Sequence, residues 1–136
     1  MIKYKTIKKL PPKRLYELYE LVGWVNGVKD KKKHGYLISI AYNNSSTVFS
    51  AWNDKELIGI IRVVSDNTTH AYIVGLVVDE AYQEQGIGEE LLKKCIKKYS
   101  KMRINAETEK PVKSLYKKLG FKKSPTENLL IGNYVI

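Results

Sequence analysis

The segment Gln83-Glu84-Gln85-Gly86-Ile87-Gly88 has the residue types and spacing to handle an anion. It follows the apolar run Ile73-Val74-Gly75-Leu76-Val77-Val78 and precedes residues at helical spacing, so two glycines sit where a helix begins. A helix start offers main-chain N–H groups without intrahelical partners and about half a unit of positive charge. Glycine there lets a phosphate come within hydrogen-bond distance of the backbone. The same glycines would also serve a plain strand-to-helix turn that needs their dihedral freedom, and these residues leave both readings open. Two familiar phosphate motifs are excluded. Gly86-Ile87-Gly88-Glu89-Glu90-Leu91 has leucine where the dinucleotide fingerprint needs its third glycine, and no Gly-Lys-Ser/Thr follows to make a P-loop.

Other reactive side chains are sparse. Cys95, the single cysteine, falls on the apolar face of a predicted helix and reads as core. His34 lies in a Lys-rich stretch and His70 at a turn, neither with acidic or cysteine partners at ligand spacing, so no metal site is expected. No Ser-His or Cys-His arrangement points to a covalent intermediate. Trp24 and Trp52 read as core or interface anchors, with Trp24, beside the first helix, placed to line a pocket.

The elements that must position the glycine turn follow from periodicity. Met1 to Ile7 alternates as a strand; Pro11-Pro12 opens a helix carrying Leu15, Leu18, Tyr19 and Val22 on one stripe, ended by Gly23. Lys29 to Lys33 is polar, and Tyr36 to Tyr42 is read as a short helix. Thr47 to Trp52 and Leu57 to Val64 flank Asn53-Asp54-Lys55 as a hairpin, and Asp66 to Thr69 turns the chain into a strand from Ala71 to Val78, giving an antiparallel meander. Alternation fails from Ile73 to Val78, which predicts a strand buried on both faces, and Gly75 within it predicts a bulge or a close backbone approach. Leu91, Leu92, Cys95, Ile96 and Tyr99 then mark a Lys-faced helix, Arg103 to Ala106 a strand, and Val112, Leu115, Tyr116 and Leu119 a helix stopped by Gly120. Phe121 to Lys123 and Leu129 to Ile136 are expected as closing strands. The order predicts an α+β (mixed α/β) fold in one domain over residues 1–136.

Composition narrows the function classes. The 136 residues include 24 Lys plus Arg against 14 Asp plus Glu, a formal net charge of +10. Such a balance points to an anionic partner without choosing among nucleic acid, membrane phosphate and a phosphorylated small molecule. With 43% hydrophobic residues the chain can bury a core, and its apolar runs are far shorter than the ~20 residues of a membrane helix. The N-terminus lacks the continuous apolar stretch of a secretory signal, so a cytoplasmic location is expected.

Gln83-x-x-Gly86-x-Gly88 after a buried strand, followed by Ser114-Leu115-Tyr116-Lys117-Lys118-Leu119-Gly120-Phe121, resembles the GNAT superfamily of N-acetyltransferases. The hairpin with Gly59 and Arg62 ahead of Ser65-Asp66 is similar to small bacterial members. The resemblance implies a central mixed, mostly antiparallel twisted sheet flanked by about four helices. It also implies acetyl-CoA as cosubstrate, and direct transfer of its acetyl group to a primary amine, expected to belong to a small molecule. On that reading the pyrophosphate meets the main chain of Gln85, Gly86, Ile87, Gly88 and Glu89, with Gln83 and Glu84 flanking, and the pantetheine arm lies along Leu76, Val77 and Val78. Glu109 stands where many members have an asparagine contacting the cosubstrate arm.

Tyr116 matches the family position that protonates the departing thiolate, although its place on an apolar stripe would equally suit a core tyrosine. A phenol near pKa 10 protonates a thiolate near 8.5 only uphill, by roughly 2 kcal/mol, so hydrogen-bond donation to the sulfur is the larger expectation. Family members often carry a carboxylate base on the central strand, where this chain has Tyr72 and Gly75; Asp66, Asp79 and Glu109 are the alternatives, beside a water chain to main-chain carbonyls. Two competing functions stand beside transfer: a basic nucleic-acid-binding module, disfavoured because aromatic residues fall at core spacing, and a CoA-binding protein of the same fold without efficient catalysis. A homodimer through the terminal strands is compatible with the sequence.

Overall fold

The computed structural model describes residues 1–108 and 110–124. Its elements are β1 (Ile2–Lys5), α1 (Pro12–Leu21), α2 (Lys31–Asn43), β2 (Thr47–Asn53), β3 (Glu56–Ser65), β4 (His70–Val78), α3 (Ile87–Lys98), β5 (Arg103–Ala106) and α4 (Lys110–Lys118), with a 3-10 turn at Glu80–Tyr82. The strands form one sheet in the order β1-β2-β3-β4-β5. Every neighbouring pair is antiparallel except β4 and β5, whose parallel pairing requires the crossover that α3 provides. This is the mixed, mostly antiparallel α+β arrangement expected from the sequence. No helix among the described residues is long and apolar enough to cross a membrane.

Each face of the sheet buries its own cluster. Val48, Trp52, Leu57, Ile60 and Val77 pack with Leu15, Leu18, Ile38 and Tyr42 of α1 and α2. Ala51, Ile58, Ile61, Ile73 and Leu76 pack with Ile87, Leu91, Leu92, Cys95 and Tyr99 on the α3 side, where Tyr116 also sits. Gly59 allows the second contact to be close: a Cβ there would lie 3.2 Å from Leu91 Cδ1 and 3.3 Å from Ile87 Cγ2. Arg14 ties α1 to the start of β3 and the end of β4, donating from Nε to the Leu57 carbonyl at 2.8 Å and from one Nη to Asp79 at 2.6 Å and Glu56 at 3.2 Å.

Two boundaries differ from the sequence reading. The second helix starts inside the lysine run, because Asp30 caps it by accepting from the Lys33 N–H at 3.0 Å. Phe121 to Lys123 forms no strand. Gly120, at φ +99°, ends α4 and reverses the chain, so the Phe121 N–H donates to the Tyr116 carbonyl at 3.0 Å. The Phe121 ring then packs edge-on against Tyr116, centroids 5.1 Å apart. Leu129 to Ile136, expected as the last strand, lies outside the described residues.

Branching at Gly59 should therefore push α3 off the sheet. Gly59→Val is expected to cost about 1–3 kcal/mol, the usual range for overpacking a filled core, and to lower the urea midpoint without changing the denaturant slope. An unaltered midpoint would mean that α3 can step back freely.

Candidate active site

The β3–β4 register sets the site. Arg62 pairs with Gly75 and Val63 with Ile73, which leaves Val74 as the extra residue of a bulge. On its other side β4 pairs with β5 only from His70 to Ile73. From Val74 to Val78, therefore, one edge of β4 has no strand partner among the described residues, and its main-chain N–H and C=O groups face a groove. The bulge expected near Gly75 is present; what comes close to the glycine is a side chain, not a backbone, since a Cβ there would lie 3.3 Å from the Trp24 ring.

At the end of this edge the chain turns into α3. Glu84 and Gly86 take left-handed conformations, φ +63° and +81°, and Gly86 caps the helix without a side-chain hydrogen bond. The first intrahelical bond is Glu90 N–H to the Gly86 carbonyl, so the N–H groups of Ile87, Gly88 and Glu89 precede the ladder. A Cβ at Gly86 would meet nothing within 4 Å, whereas at Gly88 it would lie 3.3 Å from Leu115, so the second glycine seats α4 against the helix start. The Gln83 side chain turns back and donates to the Val78 carbonyl at 3.0 Å, bracing the turn on the free strand edge. Glu89, acidic in the first turn, is held by Lys93 at 3.2 Å and Lys118 at 3.1 Å. Hydrogen bonds and charge from these two lysines keep its carboxyl below the ordinary range.

A groove of about 1410 Å³ joins these parts. That exceeds the roughly 300–1,000 Å³ of most small-ligand sites and suits a long ligand. It is lined by Leu76, Val77 and Val78, by Gln83, Glu84, Gly86, Ile87, Gly88 and Glu89, and by Tyr116, so the sequence-predicted residues converge on one surface. Gln85 is exposed and does not line it, and Glu109 lies outside the described residues. Burial, and then the neighbouring Cys95, push the Tyr116 phenol well above its ordinary value.

The alternative bases fare differently. Asp66 accepts from the N–H groups of Thr68 and Thr69 at 2.8 Å and of His70 at 3.1 Å, and from the Thr69 hydroxyl. The Thr69 hydroxyl first, then these N–H groups, hold its carboxyl far below the carboxylate range, which makes it a poor base in a hairpin turn. Asp79 is occupied by Arg14 and by the Ala81 N–H at 3.0 Å. Glu107, just past β5, is the carboxylate that sequence reasoning missed: it lines the groove, and after burial its hydrogen bond and charge push the Tyr72 phenol up to about 12. Nothing in its local sequence marks it; its place depends on where β5 stops pairing. The groove is also lined, away from the helix start, by Tyr19, Trp24, His34, Ile38 and Arg62. Among the described residues no His, Cys, Asp and Glu cluster could hold a metal ion.

A model of the acetyltransferase (GNAT) domain matches residues 35–130. The chain belongs to the GNAT acetyltransferase family. Acetyl transfer from acetyl-CoA is the activity of that family. Solved structures share the fold. A GNAT-family acetyltransferase from Streptococcus pneumoniae is 24% identical, with a TM-score of 0.78 over 100% of this chain and 98% of that one. A protein from methicillin-resistant Staphylococcus aureus is 21% identical, with a TM-score of 0.82 over 98% and 100%. A predicted acetyltransferase with acetyl-CoA from Clostridium acetobutylicum is 15% identical, with a TM-score of 0.70 over 96% of each chain. No curated protein matches the chain. The GNAT site here fits its cosubstrate on its own geometry: an uncapped helix start, open space at Gly86 and a free strand edge lie along one groove.

Cys95 takes no part in this. It is fully buried, and burial pushes its thiol up to about 12. A thiol reagent at pH 8 is expected to leave it unmodified in the folded protein and to label it completely in denaturant; rapid labelling of the native protein would contradict its place in the core.

Proposed function

We propose that this chain is an N-acetyltransferase that moves the acetyl group of acetyl-CoA directly to a primary amine of a small molecule. The observation that carries the reading is the unpaired Val74–Val78 edge of β4 running into the uncapped start of α3. When bound, acetyl-CoA supplies an activated acyl carbon and a thiolate leaving group. The edge of Leu76, Val77 and Val78 offers main-chain pairing to the arm of the cosubstrate, much as a sheet edge accepts an added strand. The N–H groups of Ile87, Gly88 and Glu89 take the phosphate charge, flanked by Gln83 and Glu84. Lys93 and Lys118 withdraw the Glu89 carboxylate from competition. Main-chain N–H groups at the bulge stand where negative charge develops on the acyl oxygen.

Tyr116 is the donor toward the departing sulfur. Its raised pKa makes it a poorer acid but keeps it a hydrogen-bond donor at every physiological pH. An alkyl amine near pKa 10.4 must lose a proton before it attacks. Glu107, the groove carboxylate beside β5, accepts that proton, with Tyr72 fixing its orientation. Direct attack is supported by the burial of Cys95, the single cysteine, in the core. We place the protein in the cytoplasm, with neither membrane nor nucleic acid as partner.

Calorimetric titration with acetyl-CoA at physiological salt should give saturable binding near one per chain. Gly86→Val should weaken it about tenfold, because holding a β-branched residue at φ +81° costs about 1–2 kcal/mol. Undiminished affinity would remove the glycine turn from the binding site.

Tyr116→Phe should lower kcat roughly 10–100-fold, the worth of one hydrogen bond to a developing charge, and leave the acetyl-CoA affinity unchanged. With the phenol pKa raised, its deprotonation should produce no falling limb in the wild-type kcat profile up to pH 10, and an unchanged rate in the variant would exclude Tyr116.

A further inference from the structure

Arg62 lies on β3 directly across from Gly75, on the face covered by α1 and α2. Its guanidinium is incompletely satisfied. One Nη donates to the Ser45 hydroxyl at 3.2 Å, and the plane lies 5.4 Å from the centre of the Tyr42 ring. Its Nε–H is out of contact with solvent and has no acceptor among the described residues. None of the ion pairs among those residues involves Arg62, and the hydroxyl of the Tyr42 ring it faces is bonded to that of Tyr19 at 3.0 Å. Of the acids on the groove, Glu107 is engaged with Tyr72 and Glu89 with Lys93 and Lys118.

An unpaired cation in a partly buried wall is costly unless something anionic meets it. Arg62 lines the groove away from the helix start, with Trp24, Tyr19 and Ile38. The missing side chain at Gly75 leaves the Trp24 ring against the strand there, so an aromatic wall and a guanidinium stand next to each other beside the β4 bulge. The guanidinium is a planar fork that donates to a carboxylate, and its second Nη, which makes no hydrogen bond among the described residues, is the donor left for one. From this geometry we infer that the acceptor amine carries a carboxylate, which Arg62 receives, and an apolar body that rests on Trp24. The inference builds on the acetyltransferase reading and specifies its substrate class: amino acids and related amino carboxylates. The carboxylate stays at Arg62 while the amine, proton lost to the base, reaches the free edge of β4.

Matched amines that differ only by the carboxylate test this: tyrosine against tyramine, phenylalanine against phenylethylamine, γ-aminobutyrate against propylamine. For at least one pair, kcat/KM should favour the carboxylate member roughly 10–100-fold, as for a charge-assisted hydrogen bond. Arg62→Met should erase that preference and Arg62→Lys restore part of it, with acetyl-CoA affinity retained as the check on folding. A preference for the uncharged members, or one that survives in Arg62→Met, would overturn the inference. Calorimetric titration of the same pairs into CoA-saturated protein separates recognition from turnover. Tighter binding of the carboxylate members that is lost in Arg62→Met upholds the anion site even if no amine is acetylated, an outcome that would instead sink the transfer reading. Equal affinity within every pair, or no binding of any carboxylate member, would overturn it.

Discussion

The arrangement depends on where two parallel strands stop pairing. β4 runs to Val78, but β5 accompanies it only to Ile73. A strand edge left open inside a domain is ordinarily a liability, since its N–H and C=O groups lose water without gaining partners. Here the bulge at Val74 marks the point of parting, and the groove keeps the freed edge accessible. β3 holds the other edge from Gly59 to Ser65, so the open segment stays extended and fixed while unpaired on one side. The groove follows those few residues, with the helix start at one end, the aromatic wall of Tyr19 and Trp24 at the other and Tyr116 beside them.

Holding that edge rigid takes packing from both faces. Gly59 brings α3 close to the sheet, and Gly88 brings α4 close to the start of α3. A larger residue at either position would move a helix terminus relative to the strand edge and misalign the two. On the opposite face Arg14 fastens α1 to Leu57 and Asp79, next to the strand end. The Gly23 turn after α1, φ +79°, returns the chain so that Trp24 packs on Gly75. The edge-on contact of Tyr19 and Trp24, centroids 5.1 Å apart, and the Tyr19–Tyr42 hydroxyl pair give the groove stiff aromatic walls away from the helix start.

Much of this was legible in the sequence, because local chemistry specifies it. The β-branched runs and their turns yield the meander, Gly75 the bulge, and Gly86 the left-handed helix entry. The family motifs add the converging groove. What could not be read is what depends on tertiary register. Asp66 and Asp79 looked available as bases because a sequence does not show that one is saturated by its own turn and the other taken by Arg14, 65 positions away. Glu107 escaped notice because its position follows from the end of β4–β5 pairing, not from any local pattern. Phe121 to Lys123, expected as a strand, is directed back onto Tyr116 by Gly120.

The charge balance also becomes intelligible only in three dimensions. An excess of ten positive charges could be a diffuse field for any polyanion. Several lysines instead pair with acids on helix faces: Lys31 with Glu20, Lys93 and Lys118 with Glu89, Lys94 with Glu90. Exposed pairs of this kind add little stability. Those at Glu89 have a local consequence that the others lack. A carboxylate in the first turn favours the helix dipole but opposes a phosphate at the same helix end. Two lysines on it, one from α3 and one from α4, cancel that opposition while leaving the N–H groups of the first turn open. The positive excess is therefore better understood through where its lysines neutralise acids near the groove than through its sum.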